Sequence, residues 1–197
     1  MKSPYPGYDV LEKWNSPSFD DRTRDVLSGR LHDIPPRRFF TEEQLAALEA
    51  IVDRIVPAFA DRPPPIALWL DERLFFNQGE GFRHEGEPPL QESWRIGISA
   101  INGEARRRFS RGMAELDHHS RDDVLRAIQK GDVDKDLWHG VPASNFFSDA
   151  LLKTVVGLAY SHPSAWNDIG FGGPASPRGY VRMGFDERDE WEAKEVS

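Results

Sequence analysis

The sequence predicts an all-α protein, a bundle of about five helices with extended, irregular arms at both ends. Three observations predict it. Apolar residues from about residue 39 to 160 recur at spacings of three and four, no segment alternates as a strand would, and Pro, Gly and isolated aromatics gather outside that range. The 197 residues suffice for one ordinary domain with a core. The expected division is an N-terminal arm over 1–38, a helical domain over 39–160, and a C-terminal arm and tail over 161–197.

The N-terminal arm carries Pro4, Pro6, Pro17, Pro35 and Pro36 among charges, with Tyr5, Tyr8, Trp14 and Phe19 set apart from one another. Aromatics are poor choices for a solvated tail, so this arm is expected to lie along a surface. Thr41 followed by Gln44 is a capping box, and Leu45, Leu48, Ile51, Val52, Ile55 and Val56 keep helical spacing until Pro57 stops them. After Pro63-Pro64-Pro65, Ile66, Trp69, Leu70 and Leu74 mark a second helix, ending near Gln78-Gly79. The run GEGFRHEGEPP is a loop by its Gly, Pro and charge content. Leu90, Trp94, Ile98, Ile101 and Ala105 then trace a long helix, in which Gly97 and Gly103 allow another helix close approach. Ser120-Arg121-Asp122-Asp123 opens a fourth helix, carried by Val124, Leu125 and Ile128 to a cap at Gly131. The last helix begins at Ser144 or Asn145. Its Phe146, Phe147, Ala150, Leu151, Thr154, Val155 and Leu158 make it the most apolar and the expected centre of the core.

Composition narrows the function. A net charge of −8 argues against nucleic-acid binding, which needs clustered cations to displace counterions from phosphates. The short run Arg106-Arg107-Arg108 reads as the solvated end of a helix, where cations complement the macrodipole. With no cysteine, the chain has no disulfide, thiolate nucleophile or thiolate metal site. No run is long enough to span a membrane, and MKSPYPGYDVLEKWN lacks the apolar stretch of a signal peptide. Arg37-Arg38-Phe39-Phe40 imitates a twin-arginine signal but runs into Thr41-Glu42-Glu43-Gln44 instead of an apolar stretch. A soluble, cytoplasmic chain is the expectation, with co-export beside a signal-bearing partner as the alternative.

Catalytic patterns are not found. His32, His84, His118, His119, His139 and His162 are scattered, and none forms an HExxH pair; the adjacent His118 and His119 are expected to be exposed just before a helix N-cap. Glu42-Glu43, Asp71-Glu72 and Asp122-Asp123 fall in first turns or exposed positions, explained by helix-dipole complementarity. Gly170-Phe171-Gly172-Gly173-Pro174 follows no strand and loses a backbone donor at Pro174, so it is a poor phosphate cradle.

The stretch Tyr160-Ser161-His162-Pro163, then Ala165-Trp166-Asn167-Asp168-Ile169 with the Gly-rich run after it, then Pro177-Arg178-Gly179-Tyr180, resembles the end of the gluconate 2-dehydrogenase subunit 3 family. Phe39-Phe40-Thr41-Glu42-Glu43-Gln44 with Leu48 to Pro57 is similar to that family's first helix. The resemblance, over about residues 39 to 185, implies a small non-catalytic subunit that accompanies a large flavoprotein of the glucose-methanol-choline type. It also implies a role in the folding and export of that flavoprotein. The FAD and the oxidation of a sugar CH–OH group would then belong to the large chain, with no cofactor in this one and a cytochrome c as candidate electron acceptor. Trp, Tyr and Arg are common interface anchors. Trp166, Phe171, Arg178 and Tyr180, with His162 and Asn167 beside them, are therefore the expected partner contacts, and Tyr5, Tyr8 and Trp14 are secondary ones. The competing arrangement folds Trp166 and Phe171 back on their own bundle. The competing function is a free-standing enzyme or a ligand- or metal-binding protein that uses the scattered histidines.

Overall fold

The computed structural model describes residues 5–56, 64–79, 86–174 and 193–194. Among the described residues every regular element is helical, so the protein is all-α. A 3-10 turn at Val10–Lys13 precedes α1 (Asp21–His32), α2 (Glu42–Ile55), α3 (Ile66–Phe75) and α4 (Leu90–Phe109). A 3-10 turn at Met113–Glu115 leads to α5 (His118–Lys130), α6 (Lys135–Trp138) and α7 (Ala143–Asn145). A π-helical segment at Phe146–Leu152 then continues into α8 (Lys153–Tyr160), and α9 (Pro163–Ile169) comes last.

The chain forms two compact units. The first gathers the described residues up to Asp33, Pro64 and those from Ala159 onward; the second takes the described residues from Ile34 to Leu158 apart from Pro64. The described residues of the expected arms belong to the first unit, except 34–38, which fall in the second, and they hold more helix than expected. Asp20 caps α1, its side chain accepting the Thr23 N–H at 2.8 Å. Only Thr23 and Leu27 of α1 are buried. So narrow a buried face leaves almost no apolar period to read.

In the second unit, α2 begins as its capping box requires: Gln44 N–H donates to Thr41 Oγ1 and Thr41 N–H to Gln44 Oε1, each at 3.1 Å. The core is centred on α4, not on the last helix. Trp94, Ile98, Ile101 and Ala105 of α4 are buried, and this helix packs on α2, α3, α5 and α6. Small residues explain its position. A Cβ on Gly97 would come within 2.3 Å of the Phe146 ring, so glycine lets that ring rest on the α4 backbone. There Phe146 meets Trp94 edge to face at 5.2 Å and Trp138 at 6.0 Å. Phe146 also opens the π segment, where the wider turn shifts the phase of the succeeding helical turns, and Leu151 and Val155 are fully buried.

The two fully buried carboxylates of this unit, Asp71 and Glu104, are satisfied by backbone N–H groups and by arginine, as burial demands. Asp71 on α3 is fully buried and accepts the N–H groups of Arg38, Phe39 and Phe40 at 2.6, 3.0 and 2.8 Å. It therefore fixes the backbone just before α2. Glu104 is also fully buried; Arg107 donates to it at 2.7 Å, Arg108 at 3.4 Å, and the Asp134 N–H bonds its other oxygen. The pairing raises the Arg107 pKa above its usual value, chiefly through its hydrogen bond to Glu104. Arg106 pairs with Glu43, so the basic run occupies the last turn of α4, as expected, and in addition forms a set of ion pairs. At α5 the cap lies three residues earlier than expected. Asp117 accepts the Ser120 N–H at 2.9 Å, which puts His118 and His119 inside the first turn.

Candidate functional site

The first unit holds the residues that the sequence nominates. Asp9 caps the Val10–Lys13 turn by accepting the Leu11 N–H at 3.0 Å, and it also accepts the Asn167 amide N–H at 3.1 Å. Asn167 Oδ1 accepts the Val10 N–H at 2.8 Å, so one side-chain amide joins α9 to the N-terminal turn through both of its ends. Next to it Trp166 is 4% exposed and packs in a core with Val10, Phe19 and Leu27, with Tyr8, Leu11 and Trp14 around it. Its indole N–H donates to the Tyr160 carbonyl at 2.7 Å, which satisfies the polar atom that burial would otherwise penalise.

The glycines have a specific use here. Gly170 ends α9 at φ +68°, and a Cβ there would fall 2.6 Å from the Tyr5 ring. Gly173, at φ +74°, leaves room for the rings of Phe19 and Trp166, each 3.3 Å from where its Cβ would stand. Phe171 meets Trp166 edge to face at 5.4 Å, and Tyr8 Oη donates to the Phe171 carbonyl at 3.5 Å. The Gly-rich run is thus the turn that seats the N-terminal aromatics. It lies at the C-terminal end of a helix, where carbonyl oxygens oppose a phosphate.

His162 caps α9 from a buried position, its Nδ1 accepting the Ser164 N–H at 3.2 Å. Burial, and then the positive charge of Arg30, lowers its pKa below the usual histidine value. Arg30 donates to the Ser161 carbonyl at 2.9 Å, and its own pKa is lowered by burial. Because the folded pKa lies below the unfolded value of about 6.5, the stability tied to neutral His162 is fully present above that pH and declines as pH falls toward the folded pKa. Lowering the pH from about 7 to about 5 is therefore expected to reduce the melting temperature of this unit, read by the fluorescence of Trp14 and Trp166. The His162→Asn variant keeps a capping acceptor and should lose most of that dependence. An unchanged slope in this variant would place the titration elsewhere.

Trp166, Asn167, His162, Tyr5, Tyr8 and Trp14 therefore all fall in one unit, and Phe171 is the exposed member at 38%. Trp166 packs on the N-terminal segment and Phe171 on Trp166, within the first unit and not on the helical bundle expected over 39–160. Arg178 and Tyr180 lie outside the described residues. The sequence missed Asp9, Phe19, Leu27 and Arg30 as partners of the motif. No local pattern could have paired segments some 150 residues apart.

The histidine pair belongs to an ion network in the second unit. Arg54 grips Asp122 through two hydrogen bonds, at 2.8 and 3.2 Å, and the Arg54 hydrogen bond is the main cause holding the Asp122 carboxyl below its usual pKa. His118 contacts Arg54 at 3.2 Å and Asp53 at 3.3 Å, while Arg121 pairs with Asp53 at 3.1 Å. The carboxylates beside His118 are thus engaged by guanidinium groups. Among the described residues no group of three His, Asp or Glu stands where it could hold a metal. No helix there is long and apolar enough to cross a membrane.

The model of the family described as gluconate 2-dehydrogenase subunit 3 matches residues 42–173, two thirds of the chain. The chain belongs to this family. No curated protein and no solved structure matches it. The subunit 3 match starts at the first residue of α2 and ends at Gly173, so it takes in the whole Trp166-to-Gly173 turn. The segment that covers this turn, from Tyr5 to Leu27, lies before the match. In this subunit 3 chain the turn therefore receives its cover from residues outside the matched range.

Proposed function

We propose that this chain is the non-catalytic small subunit of a heteromeric FAD-dependent sugar or glucoside dehydrogenase, binding and stabilising a large flavoprotein of the glucose-methanol-choline type and supporting its maturation. The observation that carries this proposal is the family match over residues 42–173. The FAD and the hydride transfer are assigned to the large chain, and a cytochrome c is the candidate acceptor. The charge pattern supports a binding role. The ion network around His118 and the cap formed by His162 are spent on internal ion pairs and helix capping.

Co-expression with a large flavoprotein of this type, purified through a tag on this chain alone, should recover a yellow, FAD-bearing complex. Recovery of the tagged chain without flavin would count decisively against the proposal. Removing residues 161–197 should abolish recovery while most of the helical circular dichroism is kept, because α2 to α5 lie outside the deletion. A truncated chain that still captures flavoprotein would remove the C-terminal segment from the interface.

A further inference from the structure

The described arginines of the second unit divide into two groups. Arg54 on α2, Arg106, Arg107 and Arg108 on α4, and Arg121 and Arg126 on α5 each form an ion pair. Arg37, Arg38, Arg73, Arg95 and Arg111 form none among the described residues. Two of them, Arg38 and Arg95, lie over aromatic rings instead. The Arg38 guanidinium lies 5.6 Å from the Phe75 ring and 5.9 Å from the Phe76 ring, and Arg95 lies 4.0 Å over Phe39. Arg73 lines the adjoining cleft with Leu74, Leu90, Trp94 and Thr154. Arg37 donates only to the Phe40 carbonyl.

The two rings are held outward. Phe75 and Phe76 are 45% and 54% exposed and meet edge to face at 5.2 Å. They end α3 at a firm cap, where Asn77 takes φ +53° and the N–H groups of Asn77 and Gln78 return to the Leu74 and Arg73 carbonyls at 3.0 and 2.8 Å. Gln91 adds a hydrogen bond at 2.7 Å to the Leu74 carbonyl. On the other side, Asp71 fixes the backbone of Arg38. The patch is therefore preorganised, and a partner would lose little freedom in meeting it.

We propose that Arg38, Arg73, Phe75 and Phe76 form part of the docking face for the large flavoprotein, which presents an apolar side chain to the two rings and carboxylates to the arginines. This rests on the accessory-subunit proposal. Charge complementarity selects the occupant. In a chain of net charge −8, an acidic partner is repelled by most of the surface and attracted at this face, where the carboxylates on the surrounding elements are Glu72, Glu92, the buried Asp71 and Asp149, which pairs with Lys153. Arginine and phenylalanine are also enriched at the centres of interfaces, where charged residues other than Arg are depleted.

The test uses the full chain and the co-expressed large subunit, with affinity measured at low and high salt. Phe75→Ala/Phe76→Ala and Arg38→Glu should each weaken binding about tenfold or more, with melting temperatures close to wild type because all three side chains are exposed. Arg38→Glu should also reduce the salt dependence of association. If wild type binds and the variants bind equally well, this face is not the interface, although the accessory-subunit proposal stands. If wild type does not bind, both fail. If the wild-type chain alone self-associates and Phe75→Ala/Phe76→Ala abolishes that, the face belongs to a homomeric contact and the proposal is overturned.

Discussion

Replacing Trp166 with alanine is expected to cost about 3–5 kcal/mol, the range for removing a large aromatic from a packed core. Trp166 is the only α9 residue in a core whose other members, Val10, Phe19 and Leu27, come from the first 27 residues. The loss should therefore be local to the first unit. Hydrogen exchange is the appropriate measurement: amides of Asp21–His32 should lose protection, whereas those of Leu90–Phe109 should keep it. The Trp166→Phe variant retains most of the apolar volume but leaves the Tyr160 carbonyl without its indole donor, so its loss should be roughly half as large. Wild-type protection of α1 in the alanine variant would show that the N-terminal segment holds its place without this side chain.

Family and fold class were legible in the sequence because both rest on local signals. The Thr41-to-Gln44 capping box, the spacing from Leu45 to Val56 and the glycine cap at Gly131 each depend on residues a few positions apart, and the structure forms all three. Gly97 was legible too, as a site of close approach, although nothing local identified Phe146 as the ring that fills it. Misreadings arose where the deciding partner was distant or the signal faint. Helix α1 buries only two residues, so it showed no period. The last helix outranked α4 by apolar content alone, but α4 is central because it packs on more elements, through residues that include small ones. For the candidate site, the residue types were legible and their partners were not. Trp166, Asn167, Tyr5 and Tyr8 stood out as anchors, and they join the two ends of one unit. Arg38, Phe75 and Phe76 drew no notice as contacts, because exposure and the lack of an ion pair are properties of the fold.

Asp71→Ala is expected to have an effect at least as large, in the second unit. Its carboxylate accepts three successive backbone N–H groups, and Phe39 and Phe40 are buried, so their amides cannot turn to water when the acceptor is removed. At about 1–3 kcal/mol for each buried donor left unsatisfied, the loss should reach about 3–6 kcal/mol. Urea unfolding monitored by far-UV circular dichroism measures it. Asp71→Asn keeps one carbonyl acceptor and nearly the same volume, so it should fall between alanine and wild type. An alanine variant within about 1 kcal/mol of wild type would mean that the backbone before α2 finds other acceptors. The same clamp bears on function, because it sets the backbone from which Arg38 reaches the Phe75 and Phe76 rings. Asp71→Asn, the variant expected to remain folded, should therefore weaken flavoprotein binding less than Arg38→Glu does. If binding is untouched while stability falls, the clamp serves the fold alone.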